Sequence, residues 1–415
     1  MSRTTVLILL DAFRWDYINK ENTPFLWKLA QENIYVKKLK PCFSFCERTE
    51  IFTGACPEKT GNFTVIGYNP EKSPFSCVSK LLKASGKVLN NPVCDNKYTR
   101  KLAVLLLRLL KINFPISKIP YYLLPFFSLT EDLHDFDDER SFGGDSILGR
   151  MKERGKTWFY DSFTALGMFN GGDDDRIEKA IEATKLRKDL YLLFIGKADF
   201  IGHYYGGTSL ECCDMRQRVD QKIKKVVESF EGEFEDLNLV ILGDHGMVDV
   251  KDYFNALDKI NKIAKENGFV SGRDFLVFAD STMIRFWFFN DAAKNSFSVM
   301  LDQQEFKSRG KVITEEIAKD YQVPIPSSLY GQMVWWANLG VVVYPDYFHR
   351  AKKVKGMHGY DPTIDESKGF CIVKMDNLYP RFVEEGQLID VCPTLADLLD
   401  VFPPKGNQGK SFIRK

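Results

Sequence analysis

Short apolar runs that stop at an acid or a glycine recur along this chain. "VLILL" (6–10) runs into Asp11, "LYLLFIG" (190–196) runs toward Asp199, and "LNLVILG" (237–243) runs into Asp244 and His245. The second and third runs follow stretches with helical periodicity, "DRIEKAIEATKLRKD" (175–189) and "MRQRVDQKIKKVVESFEGEF" (215–234). Apolar runs of this length, alternating with amphipathic helices, predict a mainly parallel sheet covered on both faces, an α/β fold. Ligands of such sheets bind at the carboxyl ends of the strands. Asp11, Asp199, Asp244 and His245 all fall there, so residues far apart in sequence are expected to converge.

Two regions break the plan. Residues 62–150 are rich in Pro, Phe and Leu and carry the acidic patch "EDLHDFDDER" (131–140). Residues 265–345 contain "FLVFADSTMIRFWFF" (275–289), which alternates like antiparallel strands. Both read as insertions on one catalytic domain covering residues 1–415, a length that suits one large α/β domain. Arg285, within the alternating run, reads as a solvated or structural arginine rather than a substrate contact.

Composition narrows the field. Hydrophobic residues make up 44% and charged residues 27%, an ordinary globular balance. A net charge of +1 gives no electrostatic case for nucleic acid as a partner. Nine cysteines follow no framework spacing, and Cys42, Cys46 and Cys56 lack paired histidines for a structural zinc site. They read as reduced thiols of a cytoplasmic protein. The first apolar run is too short for a signal peptide or a membrane span. The greasy stretch 101–129 is interrupted by Pro115, Pro120 and Pro125, so it does not span a bilayer either. Lys101, Arg108 and Lys111 fall on one side of its helix and leucines fill the rest. That pattern fits a buried cap or a peripheral membrane contact that accepts a lipid-linked substrate.

Three of five histidines lie beside glycines and acids: "KADFIGHYYGG" with Asp199 and His203, "GDHGM" with Asp244 and His245, and "GMHGYDP" with His358. Imidazole and carboxylate together suit borderline ions such as zinc, with manganese able to use similar sites. Two divalent metal ions close together would form a clamp for phosphoryl transfer. Such a clamp needs a hydroxyl nearby, and "KLKPCFSFCERTEIFTGACPEKTGN" (38–62) offers Ser44 ahead of a helical stretch. The thiols of Cys42 and Cys46 are competing nucleophiles at this point.

The set "LLDAFRWD", "TPFLWKLAQENI", "FTGACPEKTGN", "KADFIGHYYG", "GDHGM", "KGMHGYDP" and "DVCPTLADLL" resembles the alkaline phosphatase superfamily, and within it the type I phosphodiesterase/nucleotide pyrophosphatase family. The resemblance implies an alkaline-phosphatase-like core and a nucleophile ten residues before the glycine of "TG", which is Ser44. It implies one metal held by Asp199, His203 and His358, and another held by Asp11, Asp244 and His245 with Ser44 reaching it. One position departs from the pattern. Many members carry Asn three residues after the nucleophile, and here that residue is Glu47, followed by Arg48. Arg48 could offer a guanidinium fork to a tetrahedral anion in place of the amide, with Glu47 turned out or paired to a lysine. The expected activity is cleavage of a phosphodiester or pyrophosphate, on a nucleotide or lipid-linked substrate, through a covalent Ser44 intermediate. Phosphotransfer of the phosphoethanolamine-transferase type, phosphomonoester hydrolysis and sulfatase chemistry remain as alternatives within the same superfamily.

Overall fold

A computed structural model describes residues 3–76, 96–109, 112, 114, 119–130, 142, 145–161, 172–349 and 353–414. The acidic patch 131–140 lies outside the described residues. The chain divides into two compact units. One comprises Met1–Asn62, Glu131–Asp249 and Val354–Lys415; the other comprises Phe63–Thr130 and Val250–Lys353. The segments expected as insertions, 62–150 and 265–345, overlap the two pieces of the second unit.

The first unit is built on a seven-stranded sheet. Its strands in chain order are β1 (Thr4–Leu10), β2 (Ile34–Lys40), β3 (Trp158–Tyr160), β4 (Leu190–Ile195), β5 (Leu237–Gly243), β6 (Gly369–Lys374) and β7 (Arg381–Gln387). The spatial order is β7-β2-β6-β5-β1-β4-β3. All neighbours are parallel except β6, which runs antiparallel to both β2 and β5. The three apolar runs are the central strands β4, β1 and β5, and every residue in them is buried. That follows from their composition: a strand covered on both faces has no solvent side on which to place polar residues.

Helices cover both faces. One core layer joins Val6, Ile8 and Leu10 of β1 to Leu26 and Leu29 of α1 (Pro24–Glu32). The other joins Leu7 and Leu9 to Ile51 and Phe52 of α2 (Glu47–Thr53). Successive residues of β1 thus feed opposite layers, as the pleat requires. Burying Ile51 and Phe52 contributes roughly 1.5–3 kcal/mol each, which anchors the helix just downstream of Ser44. The helix ends at Gly54 with φ +66°, a left-handed turn that glycine makes without strain.

The second unit holds a four-stranded sheet in which Phe275–Asp280 pairs antiparallel with Met283–Phe288, as the alternating run predicted. Both faces of these strands are buried. Arg285 is 0% exposed, paired with Asp280, and donates from Nη1 to the Ile66 carbonyl at 2.8 Å. It is a buried structural arginine, not a solvated one. The helix Lys97–Leu109 buries Arg100 and Leu107, while Tyr98, Leu102, Leu105, Leu106 and Leu109 are exposed. Lys111 lies outside the described residues, and the placement of the Arg108 side chain is likewise outside them. Among the described residues no helix is long and apolar enough to cross a membrane.

Candidate active site

Sheet register assembles the first half of the site. Leu10 at the end of β1 is level with Ile195 of β4 and Gly243 of β5. Asp11 and Asp244, one residue further along, therefore emerge side by side. The Asp11 amide donates to the Ile195 carbonyl at 3.0 Å, and the Ala12 amide donates to Asp244 Oδ1 at 3.1 Å. His245 follows directly, and its Nε2 lies 3.2 Å from Asp11 Oδ1. A Cβ on Gly246 would sit 1.9 Å from the Glu366 carbonyl oxygen, so glycine is required for this close approach.

A helix assembles the other half. Asp199 and His203, just beyond the end of β4, lie one turn apart on α3 (Lys197–Tyr205), where i and i+4 share a face. His203 Nε2 is 3.1 Å from Asp199 Oδ1. His358 comes from a third place. The short strand Gly356–Met357 pairs with Val248–Asp249 just beyond His245, which brings the His358 ring centroid to 4.3 Å from that of His245. His358 Nε2 is 3.6 Å from Asp199 Oδ1. The structure thus gathers the six residues into the two expected trios, Asp199–His203–His358 and Asp11–Asp244–His245, each with donor atoms within 4.8 Å of one another.

The trios fit divalent metal ions on three grounds. First, His203 Nδ1 is 2.9 Å from the Gly356 carbonyl and His245 Nδ1 is 2.9 Å from the Gly246 carbonyl. Each ring donates its Nδ1 proton to the backbone and turns Nε2, with its lone pair, toward the carboxylates. Second, the buried Asp199 Oδ1 has the Nε2 atoms of His203 at 3.1 Å and His358 at 3.6 Å, three ligand atoms turned toward one another. Third, the charges are unbalanced without one. Burial, reinforced by Asp199 and Asp244, pushes Asp11 up to about 8. Burial raises Asp244 as well. Burial also lifts Asp199, but the imidazoles of His203, His358 and His245 outweigh it and hold that carboxyl below its usual range. Burial opposes the charging of His245, yet Asp244, Asp11 and Glu47 raise it well above the usual imidazole range. Carboxylates crowded this closely are stable when dications sit among them.

Ser44 stands beside the trios. A cavity of about 20 Å³ is lined by Ser44, Glu47, His245 and His358 among others. Ser44 lies two residues before the helix cap Cys46, whose amide donates to Ser44 Oγ at 3.2 Å. Glu47 lines the cavity rather than turning away, and burial pushes it up to about 7 against the pull of His245. Arg48 is buried in α2 and its charge acts on Glu47.

One residue in contact with Ser44 escaped the sequence reading. Glu50, 1% exposed, accepts from Ser44 Oγ at 2.5 Å through Oε1 and from the Cys42 amide at 2.9 Å through Oε2. It bridges both sides of the turn that carries Ser44. The available signal was a second acid one helical turn after Glu47 in "ERTEIFT".

The profile of the type I phosphodiesterase/nucleotide pyrophosphatase family matches residues 5–361. The chain belongs to this family. An uncharacterized pyrophosphatase/phosphodiesterase of Schizosaccharomyces pombe is 25% identical over 258 residues, covering 60% of this chain and 46% of the yeast protein. Ectonucleotide pyrophosphatase/phosphodiesterase family member 7 of mouse is 24% identical over 272 residues, covering 62% and 53%. The chain spans about half the length of the curated relatives it matches. Among solved structures, murine ectonucleotide pyrophosphatase/phosphodiesterase 5 aligns with a TM-score of 0.67 at 15% identity, covering 97% of this chain and 96% of the other. An inactive variant of that murine protein in complex with AMP aligns with a TM-score of 0.65 at 15% identity, covering 97% and 96%. The fold is that of the alkaline phosphatase superfamily.

Proposed function

We propose that this protein is a two-metal phosphodiesterase or pyrophosphatase that works through a covalent Ser44 intermediate. The observation that carries the reading is the pair of carboxylate–imidazole trios with Ser44 beside them. Asp199, His203 and His358 would hold one ion, and Asp11, Asp244 and His245 the other, with Ser44 Oγ reaching it. Zinc suits the imidazole-rich donors, and manganese is the alternative. When bound, the two ions supply positive charge that favours the ionised nucleophile and offsets charge on the transferring phosphoryl group.

The chain's own residues do the rest. Glu50 and the Cys46 amide fix Ser44 Oγ in place, which lowers the entropic cost of attack. Ser44 Oγ bonds to phosphorus as the ester P–O bond breaks, and the leaving alcohol takes up the proton. The retained ester group stays on phosphorus, so the intermediate is a seryl phosphodiester; water then attacks its phosphorus, Ser44 regains its hydroxyl, and a phosphomonoester departs. Arg48 would act in transition-state binding. Phe45, adjacent to Ser44 with its ring 5.9 Å from that of His358, supports a leaving group or retained group with an aromatic base. So does the AMP bound by the murine neighbour. A second reading, a lipid-linked phosphodiester, is favoured by the exposed leucines of Lys97–Leu109.

The test is turnover of bis-p-nitrophenyl phosphate against p-nitrophenyl phosphate with zinc or manganese supplied, and Ser44→Ala as control. Preference for the diester, abolished in the variant, is expected. Preference for the monoester would move the protein to the phosphomonoesterase branch, and undiminished turnover in Ser44→Ala would remove the covalent mechanism.

A further inference from the structure

The Sγ atoms of Cys42 and Cys56 lie 3.2 Å apart, although 14 residues separate them in sequence. Both are free thiols. Cys42 is half-buried and lines the cavity at Ser44, whereas Cys56 is buried behind it. A small solute that enters the cavity therefore meets Cys42, with Cys56 in contact with it. We propose that Cys42 and Cys56 form a reversible disulfide that switches off Ser44, an oxidation site built into the nucleophile's own turn. The proposal of regulation rests on the phosphodiesterase reading above; the cross-link itself does not.

The coupling is mechanical. A disulfide brings its sulfurs to about 2.05 Å, so the pair must close by roughly 1 Å. Cys56 has little freedom to move. Its amide donates to Gln408 Oε1 at 2.8 Å, and it caps the turn Pro57–Thr60. Any share of the closure taken by Cys42 reaches the nucleophile. The Cys42 amide donates to Glu50 Oε2, and the other oxygen of that carboxylate holds Ser44 Oγ. A pull on Cys42 thus shifts both the chain two residues before Ser44 and the carboxylate that orients it. Misplacing a reacting atom by about 1 Å costs on the order of 100-fold in rate.

The oxidant is a hydroperoxide. One thiolate of the pair attacks the peroxide oxygen, breaking the O–O bond and becoming a sulfenic acid as hydroxide leaves. The neighbouring thiol displaces that hydroxyl from sulfur, forming the S–S bond. Two thiols lose two electrons in total, and one hydrogen peroxide becomes two waters.

The experiment treats the full-length, metal-loaded protein with a small excess of hydrogen peroxide and then alkylates remaining thiols. Fragment mass spectra map the cross-link, hydrogen exchange is followed over residues 41–47, and bis-p-nitrophenyl phosphate turnover is measured before and after tris(2-carboxyethyl)phosphine. The expected result is a Cys42–Cys56 cross-link that lacks two hydrogens, altered exchange at 41–47, and turnover reduced on the order of 100-fold and restored by the phosphine. Cys56→Ser should keep the reduced-state turnover and lose all three responses. Alkylation of both thiols after peroxide, or a cross-link that leaves turnover and exchange unchanged, would overturn the proposal. If the reduced protein cleaves no diester, the functional reading fails on its own, and the mass and exchange data still decide whether the pair closes and moves the turn.

Discussion

Glu50→Ala isolates what holds the nucleophile. The side chain is 1% exposed and has two hydrogen bonds, to Ser44 Oγ and to the Cys42 amide. Burial lifts the Glu50 carboxyl to about 8, so near neutral pH it is mostly the uncharged acid. Hydrogen bonds between neutral groups contribute about 0.5–1.5 kcal/mol each, and truncation releases roughly 1–3 kcal/mol of local restraint on the turn at residues 42–44. A freed serine samples positions about 1 Å from the productive one, and the expected loss in kcat is on the order of 100-fold. KM should change little, because Glu50 restrains the nucleophile rather than the substrate. Glu50→Gln is the control. Its amide oxygen can accept from the Cys42 amide while its nitrogen donates to Ser44 Oγ, so the position is kept and kcat should return to within about tenfold of wild type. Steady-state kinetics on bis-p-nitrophenyl phosphate, with metal content checked for each variant, provide the assay. A Glu50→Ala enzyme within threefold of wild type would refute the positioning argument, as would a Glu50→Gln enzyme as slow as Glu50→Ala.

Other outcomes follow from the same geometry. Asp11→Ala or Asp244→Ala should lose one equivalent of metal by elemental analysis and nearly all turnover; normal turnover in either would sink the ligand assignment. Arg48→Ala should chiefly weaken transition-state binding, lowering kcat/KM on the order of 10- to 100-fold, the worth of one charge-assisted hydrogen bond; unchanged kcat and KM would remove Arg48 from the site. Burial, opposed by Arg285, lifts Asp280 to about 6. A carboxyl raised above its unfolded value of 3.8 contributes stability that is full below about pH 4 and lost as pH rises through about 6. The stability difference between wild type and Asp280→Asn in urea unfolding should therefore fall by about 3 kcal/mol over that window, and a flat difference would contradict the assignment.

The central strands, and the acids and histidine that follow them, were legible because both are written locally. An uninterrupted apolar run such as "LNLVILG" has one stable home, the middle of a two-layer sheet, and an Asp-His at its end must face the ligand edge. The choice of Ser44 over Cys42 or Cys46 came from spacing relative to known relatives rather than from the residues themselves. Glu47 shows where that spacing reaches its limit, since only the folded chain places its carboxyl in the cavity.

By itself, then, the sequence determined the strands, their polarity at the ligand edge, and the kinds of donor available, since these depend on neighbours within a few residues. Tertiary structure alone decided which distant groups meet. It set Glu50 against Ser44, brought Cys56 to Cys42, buried Arg285 against Asp280, and joined residues 63–130 with 250–353 in one unit. Such pairings are set by how layers pack and where turns fold back, and an isolated acid, thiol or arginine carries no local mark of the partner that packing will give it.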